Sequence, residues 1–450
     1  MTIESTSRGA PRIRLLAILG VGFGLAVIVG NTIGAGILRS PGEIATRLPS
    51  FPLYIGVWIA GAVYAALGAN ALAELGTLIP RSGGQFVFAR RGLGEYAGFV
   101  VGWSDWISTC GSTTTAAIVI AESFVFLFRL SDVYVRVISV AAILVVTMVQ
   151  WRGMSLASSV QTATSVLKAL ALGILVAICL ASGNLIPWRE TATAHGALSL
   201  LQWATAIILS LQAVIFTYDG WSGVIYFSEE VKDPGRDIPR SMFGGLASVT
   251  VIYLFVQIAL LRVVSLKEIA GHDLAAGVAA ERIFGAWGDR LIRIIIIVTL
   301  LSAINAFQLM ATRVSFGLGR DGLFTKSLVR VNRGGTPTMA HFASAAVAIV
   351  LATGTFNRVV ALLAFFFVAN YTVSFLSLFV LRRKMAGESR PYKAWGHPFT
   401  TGLALFGSLA FLAGCVATDV QNSIGALALL AVSYPAYRLV RRNTEENRPL

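Results

Sequence analysis

The sequence predicts an all-α protein that crosses a membrane many times. Hydrophobic residues make up 56% of the chain and charged residues only 13%, against about 25% charged in soluble domains. Mean hydropathy is +0.75. Apolar runs of about 20 residues recur from end to end, the length a helix needs to span hydrocarbon. No polar stretch exceeds about 20 residues, so no soluble domain is expected beside the membrane domain.

Twelve helices are expected, at 15–38, 52–79, 95–128, 133–151, 158–181, 200–231, 243–264, 287–317, 338–355, 358–381, 399–417 and 422–441. The first follows Arg8, Arg12 and Arg14 without a convincing cleavage site, and reads as an uncleaved signal anchor. The third is too long to stand perpendicular and should tilt. Short connections make most neighbours antiparallel. Residues 15–181 and 200–381 form two halves of five helices, each opening with an interrupted span. An odd number per half makes the second enter from the opposite side, an inverted repeat. The helices of 399–441 lie outside it, and 1–14 and 442–450 are tails.

Net charge is +14, from 36 Lys and Arg against 22 Asp and Glu. With both termini inside, most of the basic residues fall on cytoplasmic loops and helix ends, the positive-inside pattern. The excess then faces anionic lipid rather than nucleic acid. Cys110, Cys179 and Cys415 all lie within spans and read as small apolar packers, not a disulfide framework.

The first span is broken at Gly30-Asn31-Thr32-Ile33-Gly34-Ala35-Gly36-Ile37. Each glycine costs a helix roughly 1 kcal/mol against alanine. Unwound backbone at membrane depth survives only where it is buried in protein or lines a cavity. The half-helix from Gly36 offers unsatisfied amides to a carboxylate, and the half ending near Gly30–Thr32 offers carbonyls to an ammonium or a metal cation. One broken helix thus presents both poles an α-amino acid needs. The site is the preferred reading; the alternative is that Gly34 and Gly36 merely permit close helix packing, and Gly30 and Gly34 have that spacing.

The second break reads Phe216-Thr217-Tyr218-Asp219-Gly220-Trp221-Ser222-Gly223. A mid-span carboxylate costs roughly 2.5–3.5 kcal/mol on insertion scales, so Asp219 should face a polar interior. It either contributes charge to a site or caps the half-helix expected from Gly220. Phe216 and Trp221 read as gate aromatics or as core packing. Two interrupted spans in corresponding halves mark the central site of a transporter.

Lys168 lies roughly 15 Å from the inner end of its span, at 1.5 Å per residue. That is too deep for easy snorkelling. A lysine that titrates can exchange protons; one that stays charged occupies a cation site permanently. The alternative is a fixed partner to a carboxylate such as Asp105. Glu229-Glu230, followed by Pro234, reads by preference as a solvated helix end with a proline stop, and otherwise as an inner gate of ion pairs. The four His are scattered, and no metal-ligand spacing, phosphate loop or catalytic constellation is present, so neither an enzyme nor a cofactor is expected.

At these residues the chain resembles a family. The pieces are Ile33-Gly34-Ala35-Gly36-Ile37; Ala73-Glu74-Leu75-Gly76-Thr77 with Ile79-Pro80-Arg81-Ser82-Gly83-Gly84; Phe216 to Trp221; Glu229-Glu230-Val231-Lys232-Asp233-Pro234 with Ile238-Pro239-Arg240; Arg320-Asp321-Gly322-Leu323-Phe324; and Arg390-Pro391-Tyr392-Lys393 with Gly396-His397-Pro398. Each is weak alone; six in order over nearly the whole chain are specific. The chain is similar to amino acid–polyamine–organocation transporters, most of all to bacterial members of the L-type amino acid transporter branch.

The resemblance implies a LeuT-type fold, five plus five inverted helices with two more, working by alternating access. It implies that amides around Ala35 and Gly36 hold the substrate carboxylate, that carbonyls near Thr32, Phe216 and Asp219 hold its amino group, and that Phe216 lies over it as a lid. The full expected contact set is Thr32, Ile33, Gly34, Ala35, Gly36, Phe216, Thr217 and Asp219, with Lys168, Phe216 and Trp221 in gating or coupling. Lys168 matches the branch's fifth-span lysine, placed where sodium sits in sodium-coupled relatives, which implies sodium independence. Two departures stand out. Asp219 replaces the glycine typical of eukaryotic members. Arg129-Leu130-Ser131-Asp132 has no Cys, so no covalently linked ancillary subunit is expected.

The resulting expectation is a sodium-independent secondary transporter of small neutral L-amino acids, by exchange or with protons. It would sit in a bacterial cytoplasmic membrane as a monomer or weak oligomer. A cationic amino acid or polyamine carrier is the alternative within transport, and a membrane sensor without turnover the alternative outside it.

Overall fold

The computed structural model describes residues 15–446 apart from 16, 35, 49, 183–198, 273, 355 and 419. Its helices are α1 (Val21–Thr32), α2 (Gly36–Arg47), α3 (Phe51–Leu78), α4 (Gln85–Leu93), α5 (Glu95–Phe128), α6 (Tyr134–Trp151), α7 (Met154–Ser182), α8 (Leu200–Tyr218), α9 (Pro234–Val263), α10 (Leu266–Ile269), α11 (Ala275–Phe284), α12 (Gly288–Arg320), α13 (Thr338–Leu351), α14 (Phe356–Lys384), α15 (Phe399–Thr418) and α16 (Val420–Glu446). The protein is an all-α polytopic membrane protein. Ten helical segments among the described residues are long and apolar enough to cross a bilayer, or eleven when α1 and α2, bent by 42°, count as one broken span. The remaining expected span, 338–355, is the 14-residue α13. Below, the near face is the one from which α1 starts, and the far face is where α2 ends.

α5 and α12 pack along each other at the centre. Two features of the α5 sequence allow this. Gly102 lets α12 come close, since a Cβ there would lie 2.5 Å from Leu318 Cδ2. Its Ser and Thr side chains satisfy themselves on the preceding turn, as Thr109 Oγ1 does on the Asp105 carbonyl (2.7 Å) and Ser112 Oγ on the Ser108 carbonyl (3.1 Å). By contrast α6, α7 and α16 keep wide apolar faces exposed, as lipid-facing helices must. All three cysteines are buried and free.

Several boundaries differ from expectation. The first span runs on to Arg47, with Pro41 carried inside α2. Pro234, read as a stop, instead starts α9 as its first residue, where a missing N–H costs nothing. The expected α-helical half beyond Gly220 is a turn followed by a 3-10 helix, Gly223–Phe227.

On the near face, the segment after α14 straps onto α3. The buried Glu74 carboxylate accepts from Arg382 (3.0 and 2.5 Å) and from the Ala394 amide (2.7 Å), with Arg390 at 3.4 Å. Asn70 is held by the Tyr392 hydroxyl (2.7 Å) and by the Trp395 backbone.

Candidate substrate site

α1 stops because Ile33 turns extended (φ −76°, ψ 90°), leaving the last carbonyls of the helix without intrahelical partners. Two side chains take them. Lys168 Nζ donates to Gly30 O (2.8 Å) and Ile33 O (2.6 Å), and the Tyr253 hydroxyl donates to Thr32 O (2.7 Å). A cation at the negative end of a helix is favoured by the dipole as well as by these bonds. Lys168 shares a buried face of α7 with Gln161 and Ser165, which both bond Ala26 O (3.2 and 2.8 Å). Gly30 has the close contact expected of it, against Gln161, Ser165 and Ser302.

The pairing of Lys168 with Asp105 is therefore overturned. Lys168 has no carboxylate within 4.0 Å among the described residues, and Asp105 accepts from the Tyr226 hydroxyl (2.8 Å). The physical reason is that exposed helix-end carbonyls supply the acceptors, so no counter-carboxylate is required.

α8 stops at Tyr218, and Asp219 is its C-cap, with its amide on Phe216 O (3.3 Å). Asp219 thus does not cap an α-helix starting at Gly220. Gly220 takes a left-handed φ of 113°, and a Cβ there would lie 2.7 Å from Asn31 Nδ2, so the two breaks touch. Thr217 links to the other half of the first break, its Oγ1 2.9 Å from Ser40 Oγ, against the start of α2 at Gly36. Tyr253 also reaches Thr217 O (2.8 Å), so its single hydroxyl hydrogen sits between the carbonyl ends of both broken helices.

Asp219 Oδ1 accepts from the Tyr371 hydroxyl, and Trp221 stacks on the Tyr371 ring at 4.8 Å. These groups border a cavity lined by Asn31, Gln85, Thr109, Ser112, Asp219, Gly220, Ser222, Tyr226, Phe307, Met310, Phe367 and Tyr371. Its free space, about 10 Å³, is room for about one water. Among the described residues neither amide atom of Asn31, which lines the cavity, has a partner, although both are buried. Buried polar atoms left open beside a cavity are where a ligand can bond.

Among the expected residues, Asp219 lines this cavity. Thr32, Ile33, Gly36, Thr217 and Lys168 build the junction beside it. Gly34 borders open space, with nothing within 4 Å of an added Cβ. Ala35 lies outside the described residues. Phe216 is half-buried and is not part of the lining; Trp221 packs behind Tyr371. Sequence reasoning missed Asn31, Tyr226, Tyr253 and Tyr371. A tyrosine deep in an apolar span needs a partner for its hydroxyl, which was the available signal.

Nearer the near face, Glu230 and Arg313 form a two-pronged pair (2.9 and 2.9 Å), each at most 1% exposed. Glu229 bonds Arg320 (2.6 Å), and Arg81 and Arg90 bond Asp321 (2.9 and 2.6 Å). The solvated helix end expected at Glu229-Glu230 is instead a buried ion pair at Glu230 and a partly exposed one at Glu229. Burial forces this, because an unpaired carboxylate there would be very costly. The same segment clamps the entry to α1, with the Leu19 amide on Glu230 O (2.8 Å) and the Lys232 amide on Leu19 O (2.8 Å). No group of His, Cys, Asp and Glu among the described residues is placed to hold a metal.

A family profile described as amino acid permease matches residues 23–433. The serine/threonine exchanger SteT of Bacillus subtilis is 29% identical over 427 residues, covering 93% of this chain and 95% of its own. The Asc-type amino acid transporter 1 of Mus musculus is 26% identical over 404 residues, 85% of this chain and 73% of its own. The b(0,+)-type amino acid transporter 1 of Mus musculus is 27% identical over 392 residues, 83% and 78%. With two touching helix breaks at its centre and a profile match over most of its length, the chain belongs to the amino acid permease family, whose members transport amino acids rather than transform them.

Proposed function

We propose that this permease exchanges small neutral L-amino acids across the membrane without sodium, by alternating access from two faces. The junction of the two breaks carries the reading. The positive end of the α2 dipole suits a carboxylate, and the carbonyl ends of α1 and α8, already held by Lys168 and Tyr253, keep second lone pairs for an ammonium. In this proposal Gly36 and Ala35 amides take the carboxylate, Phe216 moves over the occupied site, and α1–α7 and α8–α14 act as inverted halves of twelve spans. Lys168 supplies the positive charge at the end of α1 that a sodium ion would otherwise supply. Hydroxyls of Thr109, Ser112 and Ser222 around the cavity favour a small polar side chain, in keeping with a relative named for serine and threonine. In this proposal the near face and both termini are cytoplasmic, in a bacterial inner membrane, a reading the positive-inside pattern supports.

The test is uptake of labelled serine and alanine into sodium-free proteoliposomes, empty or preloaded with unlabelled amino acid. Uptake stimulated by preloading is expected. Uptake into empty vesicles that follows an inward proton gradient would replace exchange with proton coupling. No uptake under either condition would favour a sensor.

A second reading rests on Asp219, whose carboxylate faces the cavity with no ion-pair partner among the described residues. Such a group suits the second ammonium of a cationic amino acid or polyamine. Under the main reading, Asp219→Asn leaves the ratio of arginine to serine transport unchanged. Selective loss of arginine transport would establish the second.

A further inference from the structure

A second cavity lies on the far face, away from the breaks. It has a volume of about 510 Å³ and sits between the end of α5 and the starts of α6 and α12. Three arginines line it: Arg129, Arg290 and Arg293. Arg293 is engaged, bonding Asp289 (3.0 Å) with its guanidinium 3.8 Å from the Phe126 ring centre. Arg129 and Arg290 make no ion pair among the described residues; Arg290 lies 4.8 Å over the Trp287 ring. Of the two lining carboxylates, Glu122 is bound to Arg39 (2.8 Å), and the other is Asp132.

Two features ask for an explanation. Arginines gather on the face where positive charge is expected to be sparse. Arg129 is also the one non-glycine residue with positive φ among the described residues (52°), capping α5 in the left-handed conformation that glycine takes without strain. Retaining arginine there keeps a guanidinium in the cavity at the expense of the backbone.

The surroundings suggest the occupant. Phe128, Val133, Tyr134 and Trp287 beside the cavity are 60%, 78%, 51% and 69% exposed, an apolar and aromatic rim of the kind found where headgroups begin. A ligand with a phosphate and acyl chains would match both parts. We propose that Arg129 and Arg290 hold the phosphate of a phospholipid headgroup from the leaflet on the far face, its chains lying along the exposed apolar rim.

Native mass spectrometry of the purified full chain with added phosphatidylglycerol tests this, with inorganic phosphate as the soluble comparison. Retained phosphatidylglycerol is expected. Its occupancy should fall by about thirtyfold in Arg129→Gly combined with Arg290→Gln, taking two arginines at the usual headgroup attraction. Arg129→Gly alone relieves the left-handed strain, so it should lose lipid while unfolding at the same temperature as the parent or higher. Occupancy unchanged in both variants would overturn the proposal. So would release of the lipid by millimolar inorganic phosphate, which would make this a site for a free anion.

Discussion

Lys168→Met should cut amino acid exchange by about a hundredfold or more. The side chain is fully buried and donates to Gly30 O and Ile33 O. Hydrogen bonds from a charged donor are worth about 1.5–3 kcal/mol each, and a barrier raised by about 2.7 kcal/mol already slows a rate about a hundredfold. Methionine nearly preserves length and volume, so the loss isolates charge and hydrogen bonding from packing. Two carbonyls would be left open at the end of α1, and the break would lose its geometry before any substrate arrives. The measurement is the initial exchange rate of labelled serine in sodium-free vesicles across pH, normalised to folded protein. An unchanged rate and an unchanged pH profile would remove Lys168 from the mechanism.

The largest effect on stability should come from the Glu230–Arg313 pair. Arg313→Met leaves the Glu230 carboxylate buried without its partner, and breaking such a pair costs about 3–5 kcal/mol. Arg313 also packs its guanidinium 5.4 Å from the Phe227 ring centre and 3.1 Å from Met154 Sδ, so some packing is lost as well. Removing both charges, with Glu230→Leu added, should recover much of the stability, since an apolar pair of similar volume often replaces a buried ion pair without loss. Under the proposed alternating access transport should recover less, because the near-face layer would then open and reseal around α1 in each cycle. Thermal unfolding of the singles and the double gives the coupling directly. Equal, additive losses would mean the two residues act independently despite their contact.

How far the sequence discloses this arrangement depends on the range of each interaction. The first break is local: three glycines in seven positions weaken one helix, and α1 ends within that run. Lys168 is conspicuous because a charge at mid-span is rare whatever it contacts. Its partner was not legible, because helix spacing does not say which neighbours a face meets. The α7 face carrying Lys168 meets α1 and α12, whereas Asp105 meets Tyr226. Glu230 and Arg313, separated by 83 positions, likewise gave no local sign of pairing. Pro234 differs from expectation for another reason. Proline both stops a helix and starts one, and only the chain's direction after the turn decides which. Asn31 was hidden by its own context, a small polar residue within a run already explained by its glycines.

The central claim is that the gap at the first break is the amino acid site, and Gly34→Ala tests it most directly. Apart from its chain neighbours, an added Cβ there meets no atom of the described residues within 4 Å, and Gly34 does not have the positive φ that would make alanine strained. The variant should therefore fold and melt like the parent. Its serine affinity, measured by equilibrium binding to the purified protein, should drop about tenfold, about 1.4 kcal/mol for one methyl in the substrate's space. An unchanged affinity with unchanged stability would place the substrate elsewhere.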